Sequence, residues 1–271
     1  MSVTLLAQAS LGEVLTTNAV VVAASMVGLW VLSLALRDAS IVDIFWGAGF
    51  VVVAWVSHVT GDGPEARTLL LAILVSVWGL RLAGYLAWRN VGKGEDFRYR
   101  AMRKRHGSTW WIRSLAVVFV LQGLLMWIVS LPVQAAAVPS EPAALSLLTW
   151  PGIAIYAVGL FFETVGDVQL ARFKADPGNA GAVMNRGLWR YTRHPNYFGD
   201  FMVWWGLYVV ALGAAGTWWT IIGPVVMSTL LMRVSGKALL EKSLSKRREG
   251  YAEYVATTNG FFPGPPKRLE R

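Results

Sequence analysis

Seven stretches of about twenty mainly apolar residues run through the sequence, at about 14–36, 40–58, 68–88, 112–131, 147–171, 197–213 and 217–235. A helix needs roughly 20 such residues to cross a hydrocarbon layer about 30 Å thick, where each backbone N–H and C=O must be bonded within its own segment. The chain is therefore read as an all-α polytopic membrane protein with seven transmembrane helices. No repeat and no linker divides it, so one helical domain over 1–271 is expected. It would carry cytoplasmic loops 89–112 and 172–196 and a cytoplasmic tail 236–271.

The loop charges give an orientation. Arg89, Lys93, Arg98, Arg100, Arg103, Lys104, Arg105 and Arg113 lie between spans three and four, whereas Pro132 to Leu145 holds neither Lys nor Arg. Arg172, Lys174, Arg186, Arg190 and Arg193 fill the next loop, 213–216 is uncharged, and the tail is basic again. Cations stay on the cytoplasmic side of a membrane. The N-terminus is thus expected outside and the C-terminus in the cytoplasm, as an odd number of spans requires. The first ten residues hold no Lys or Arg, so span one is expected to remain as an anchor. These loops account for the net charge of +9, and no nucleic-acid partner is expected. With no cysteine and only three histidines, thiolate chemistry is excluded and a metal centre is not expected.

Ionisable residues inside apolar spans are costly and point to function. Taking about 1.5 Å of rise per residue, Asp43, Arg81, Tyr85, Glu163, Asp167, Asp200 and Arg233 all fall toward the cytoplasmic ends of their spans. They are expected to share one cavity open to that side. Glu163 and Asp167 stand at i, i+4 on one helix face. Such a pair suits acid/base work or simple neutralisation by Arg81 or Arg233, and the residues alone leave both open. The segment 187–200 adds Arg190, Arg193, His194, Asn196 and Tyr197, a set suited to an anion.

The loop from Gly92 to Arg100 alternates glycines, cations and aromatics. Arginine forks chelate phosphate oxygens, and glycines let backbone amides approach them. Arg98 and Arg100 are read as ligand contacts, and Arg103, Lys104 and Arg105 as charge lying on anionic lipid. Neither a dinucleotide-binding glycine fingerprint nor a P-loop is present, so a nucleotide would be held by side chains and basic loops. Trp46, in the same span as Asp43, is a candidate for stacking on a ring.

Five segments together carry a family resemblance: Asp43-Ile-Phe-Trp46-Gly47, Arg81 to Arg89 running into Gly92-Lys-Gly-Glu-Asp-Phe-Arg-Tyr, Glu163 to Lys174, Gly187 to Asp200, and Arg233 to Tyr254. Over nearly its whole length the chain resembles the membrane steroid 5-alpha-reductase family, in its bacterial branch. The Arg-His-Pro-Asn-Tyr core by itself also resembles isoprenylcysteine carboxyl methyltransferases and sterol reductases. The resemblance implies a multi-pass protein of the bacterial inner membrane. It also implies an NADPH-dependent oxidoreductase acting on the carbon–carbon double bond of an enone lipid, such as a 3-oxo-4-ene steroid. Asp167 and Asn196 match the family's cofactor-binding aspartate and asparagine, and Lys174 stands where arginine is usual. Asp200 stands where Glu is common, and Arg233 matches a basic cofactor contact. Glu163 replaces an asparagine of eukaryotic members, while Lys237 and Glu241 replace their His and Tyr. Tyr85 resembles the tyrosine that donates to the substrate carbonyl, with Asp43 and Gln122 both open as its partner.

Hydride attack on an enone pushes charge onto the carbonyl oxygen, so a donor aimed there stabilises the transition state selectively. A phenol, with an ordinary pKa near 10, stays protonated at neutral pH and suits that task. Arg190, Arg193, Arg98 and Arg100 are the candidates for phosphate, and His194 for ribose or phosphate. Two rival readings stand: an S-adenosylmethionine-dependent membrane methyltransferase, and a non-catalytic lipid-binding membrane protein.

Overall fold

A computed structural model of the chain describes residues 9–234 and 250–267. These residues are helical, with no strand among them. Five helices are long and apolar enough to cross a membrane: Leu11–Leu36, Ile41–Thr60, Glu65–Asn90, Phe97–Val129 and Thr149–Ala175. The seven stretches read from the sequence include two more. Pro195–Ala211 has 17 residues, about 25 Å of helix, which is short of a hydrocarbon layer of about 30 Å. The stretch expected at 217–235 is described as a 3-10 turn, Trp218–Ile221, followed by helix over 222–234. Contacts group the chain into two compact units, residues 1–149 with 210–223, and 150–209 with 224–271.

The first unit begins with α1 (Leu11–Leu36), α2 (Ile41–Thr60) and α3 (Glu65–Asn90). A capping box starts α1, because the Ser10 hydroxyl accepts from the Glu13 amide while the Glu13 carboxylate accepts from Ser10 N–H. Inside the unit, Asn18 is fully buried and donates to Ser57 Oγ at 2.9 Å, tying α1 to α2. Between α2 and α3 the backbones touch at Gly47 and Gly79, and a Cβ on either residue would collide with the carbonyl of the other. Trp55 Nε1 then donates to Ser76 Oγ at 2.9 Å, further along the same contact.

Two more helices follow: α4 (Phe97–His106) and α5, a continuous run over 110–129 made of Trp110–Ser114, a π-helical stretch Leu115–Val120, and Leu121–Val129. The segment 97–129 is not one straight rod. Gln122 Nε2 lies 3.3 Å from Tyr99 Oη, whereas 23 residues of unbroken helix would separate them by about 34 Å. Gly107, at φ 54°, makes the reversal, a conformation that a residue with a Cβ adopts only under strain. So α4 folds back along α5, and the apolar helical run is 110–129, close to the stretch expected from apolarity. A short α6 (Leu131–Ala136) ends this part. The loop after it is clamped by Arg67, which is 4% exposed and donates to the carbonyls of Ala136, Pro139 and Pro142.

The second unit holds α7 (Thr149–Ala175) from residue 150 on, α8 (Pro195–Ala211) as far as residue 209, α9 (Ile222–Thr229, passing into the π-helical Leu230–Val234) from residue 224 on, and α10 (Tyr251–Thr257). Here α7 and α8 meet through Gly159 and Gly199, where a Cβ on Gly199 would strike the Glu163 backbone. This close approach brings the carboxylate-bearing face of α7 onto the start of α8.

Candidate functional site

In the first unit, Asp43 lies in the first turn of α2, where the helix dipole favours a negative charge. Its side chain is 19% exposed, which is a costly place for a carboxylate unless it is bonded. Both oxygens are bonded. Arg98 Nη2 donates to Oδ2 at 2.7 Å, and Tyr99 Oη donates to Oδ1 at 2.6 Å. The Tyr99 oxygen accepts in turn from Gln122 Nε2 at 3.3 Å. Arg98 also donates Nε to Asp96 Oδ1 at 2.9 Å and lies over the Tyr99 ring at 5.5 Å. Asp43 and Gln122, the two alternatives for a tyrosine's partner, thus meet on one phenol, that of Tyr99.

Tyr85 is on α3 and half-buried. Gly47 meets Gly79 and Ala83 across the antiparallel α2–α3 contact. Four residues back along α2, Asp43 is level with 83–87, a window that contains Tyr85. The Tyr85 ring lies 6.0 Å from that of Trp88, with the Arg89 guanidinium 5.6 Å above it. Trp46 is half-buried, one turn after Asp43, and meets Phe50 edge-on at 5.0 Å.

The loop before α4 is fastened to the α1–α2 corner. Glu95 Oε1 accepts from Ala39 N–H at 2.9 Å, and Asp96 N–H donates to Ser40 Oγ at 3.2 Å. Arg103 grips Glu95 with both arms, Nε at 3.0 Å and Nη2 at 2.7 Å. Burial pushes the Glu95 carboxyl up, but the Arg103 hydrogen bonds, the Ala39 amide and the Arg103 and Arg100 charges outweigh it and hold the group below the ordinary carboxylate range. Asp96 is also held down, because the Arg98 hydrogen bonds and charge exceed the cost of its burial. Arg98 and Arg103 are therefore occupied by carboxylates, while Arg100 is exposed.

In the second unit, Glu163 and Asp167 are buried on α7, at 3% and 4% exposure. Asn196, in the first turn of α8, donates Nδ2 to Asp167 Oδ1 at 3.1 Å and accepts the Tyr197 amide on Oδ1. Pro195 opens α8, its fixed φ suiting a first helical residue. His194 is buried and stacks on Tyr197 at 5.4 Å with planes 7° apart. Asp200 is half-buried one turn further on, and Lys174 is exposed at the end of α7.

Arg193 has a different place from the one its sequence context suggests. It is 9% exposed, its Nη1 donates to the carbonyls of Val255 at 2.8 Å and Thr258 at 3.1 Å, and its amide donates to Asn259 O. It binds the end of α10, where a cation suits the helix dipole. Thr192 Oγ1 donates to Phe261 O at 2.7 Å, and Tyr254 Oη to Trp189 O at 2.6 Å, so segment 189–193 is a seat for the C-terminal part. Arg190 is exposed and lines a cleft of about 460 Å³ with Asn185, Glu253 and Thr257. Arg233 is exposed in the π-helical segment. Lys237 and Glu241 lie outside the described residues. Among the described residues no group of His, Cys, Asp and Glu could hold a metal ion.

Tyr99 is the site residue that sequence reasoning did not single out, although it stands within the quoted Gly92–Arg100 motif. Its signal was adjacency to Arg98. Only the reversal at Gly107 shows that its hydroxyl meets Asp43 and Gln122.

A family described as "Protein of unknown function (DUF1295)" matches residues 29–258. A curated relative, Uncharacterized protein C594.04c of Schizosaccharomyces pombe, is 24% identical over 266 residues, which cover 87% of this chain and 75% of the relative. No solved structure matches the chain significantly.

Proposed function

The chain belongs to that DUF1295 family, and on this premise we propose that it is an NADPH-dependent membrane oxidoreductase that reduces the carbon–carbon double bond of an enone lipid. In this reading the protein crosses the membrane seven times, with its N-terminus outside and its basic loops in the cytoplasm. The observation that carries it is the 3.1 Å hydrogen bond between Asn196 and Asp167. The resemblance gives these two residues to one cofactor, and they are 29 positions apart in the chain.

The donor set suits a nucleotide. A carboxylate accepts from ribose hydroxyls, a carboxamide both donates and accepts, and an exposed arginine such as Arg190 meets phosphate. Lys174 and Arg233 would add charge. NADPH would supply the hydride.

The protein's own residues orient the substrate and stabilise charge. Tyr85 would direct its O–H at the enone oxygen, where negative charge grows as the β carbon is attacked. Asp43 stands level with Tyr85 and is fixed by Arg98 and Tyr99, so its carboxylate would give that region a set polarity. The apolar helices would admit a lipid and exclude water from the hydride path.

The test is a titration of purified protein with NADPH, followed by nucleotide fluorescence, with S-adenosylmethionine as competitor. Saturable binding that Asn196→Ala and Asp167→Ala weaken is expected. Saturable S-adenosylmethionine binding with no response to NADPH would replace the reductase reading with the methyltransferase one, and binding of neither would favour a lipid-binding protein.

A further inference from the structure

We propose that the outward face of α4, carrying Phe97, Arg100, Lys104 and Arg105, docks on the phosphate headgroups of anionic membrane lipids. This helix sorts its cations by face. Tyr99, Met102, Arg103 and His106 follow i, i+3, i+4, i+7 and are buried or half-buried, while Phe97, Arg100, Lys104 and Arg105 are exposed. The carboxylates nearby are taken by two other cations, since Asp43 and Asp96 hold Arg98, itself exposed, and Glu95 holds the half-buried Arg103. Arg100, Lys104 and Arg105 have no ion pair among the described residues. Their charge is presented outward, with no carboxylate at ion-pair distance among the described residues.

Apolar side chains accompany it. Phe97 is 64% exposed on the same stripe as Arg100 and Lys104, and Trp88 and Val91, at the end of α3 just before the loop, are 69% and 70% exposed. In water that exposure is unfavourable. At headgroup depth, aromatic rings sit where they are most stable and cations meet lipid phosphate. The spacing also selects the partner. From Arg100 to Arg105 the cations are spread over about 7.5 Å of helix, which suits a surface bearing several phosphates better than one oxyanion in a pocket.

Native mass spectrometry of the delipidated full chain, titrated with phosphatidylglycerol or phosphatidylcholine, tests this. The wild type should prefer the anionic lipid. The double variant Arg100→Gln/Lys104→Gln should lose tenfold or more of that preference, at about fivefold per cation, with its thermal midpoint unchanged. Arg172→Gln/Arg186→Gln, the same charge loss at exposed sites in the second unit, should keep it. Three outcomes would overturn the assignment: no preference in the wild type, an equal loss in the Arg172/Arg186 variant, or displacement of the lipid by millimolar inorganic phosphate.

Discussion

Tyr99 donates a hydrogen bond from its hydroxyl to Asp43 Oδ1 at 2.6 Å, from a helix folded back at Gly107. Hydrogen bonds to a charged group contribute about 1.5–3 kcal/mol. Tyr99→Phe is therefore expected to lower stability by about that amount, read as a drop in the thermal unfolding midpoint in detergent. Asp43→Asn should be worse, because it also leaves Arg98 without one of its two carboxylates. A Tyr99→Phe midpoint equal to the wild type would remove this bond from the account of how α4 is held.

The contact of α2 with α3 predicts opposite effects at two glycines, one on each helix. Gly47→Ala puts a methyl into the Gly79 carbonyl and should cost about 1–3 kcal/mol. Gly84 has nothing within 4 Å of a Cβ, so Gly84→Ala should stabilise by about 0.5–1 kcal/mol through helix propensity. Paired denaturation of the two variants measures both signs.

Glu95 predicts a pH dependence. Its folded-state pKa lies below the ordinary value of 4.5, so the folded state favours the carboxylate. Its contribution is complete above 4.5 and is lost as pH falls through the lower folded value. Protection of the Ala39 amide, measured by hydrogen exchange and corrected for intrinsic rate, should be level from pH 7 to about 5 and decline as pH falls below 4.5. Glu95→Gln should reduce protection across the whole range.

Arg193 is expected to act on the chain's C-terminal part rather than on a nucleotide. Arg193→Gln removes two donors from the Val255 and Thr258 carbonyls, a loss of about 1–3 kcal/mol. Limited proteolysis should then cut within 250–267 sooner than in the wild type. Unchanged cleavage with weakened NADPH binding would return Arg193 to the ligand.

Apolar run length made five long apolar helices legible, because a hydrocarbon layer sets a minimum length that composition reveals directly. The expected 112–131 and the observed 110–129 differ by two residues at each end. Spacing also showed that Glu163 and Asp167 share a face, and the resemblance joined Asp167 to Asn196. What could not be read were contacts made by reversals and by close backbone approach. Tyr99 is remote from Gln122 in a straight helix and adjacent to it only after Gly107. Arg193 looks like an anion ligand beside His194 until the α10 carbonyls it caps are known. The burial of Arg67 depends on where the chain from Ala136 to Pro142 runs, which no sequence pattern shows. Charge pattern gave the sign of α4 but not its division into an inner face held by carboxylates and an outer face without them.

The central claim is hydride transfer to an enone, and isotopic labelling tests it most directly. Membranes containing the full chain would be supplied with a 3-oxo-4-ene lipid and NADPH deuterated at the transferable position, and the product analysed by mass spectrometry. Our account predicts one deuterium on the carbon β to the carbonyl, abolished in Tyr85→Phe while NADPH affinity is retained. An unlabelled or unreduced lipid, under conditions where the protein is folded and binds NADPH, would contradict it.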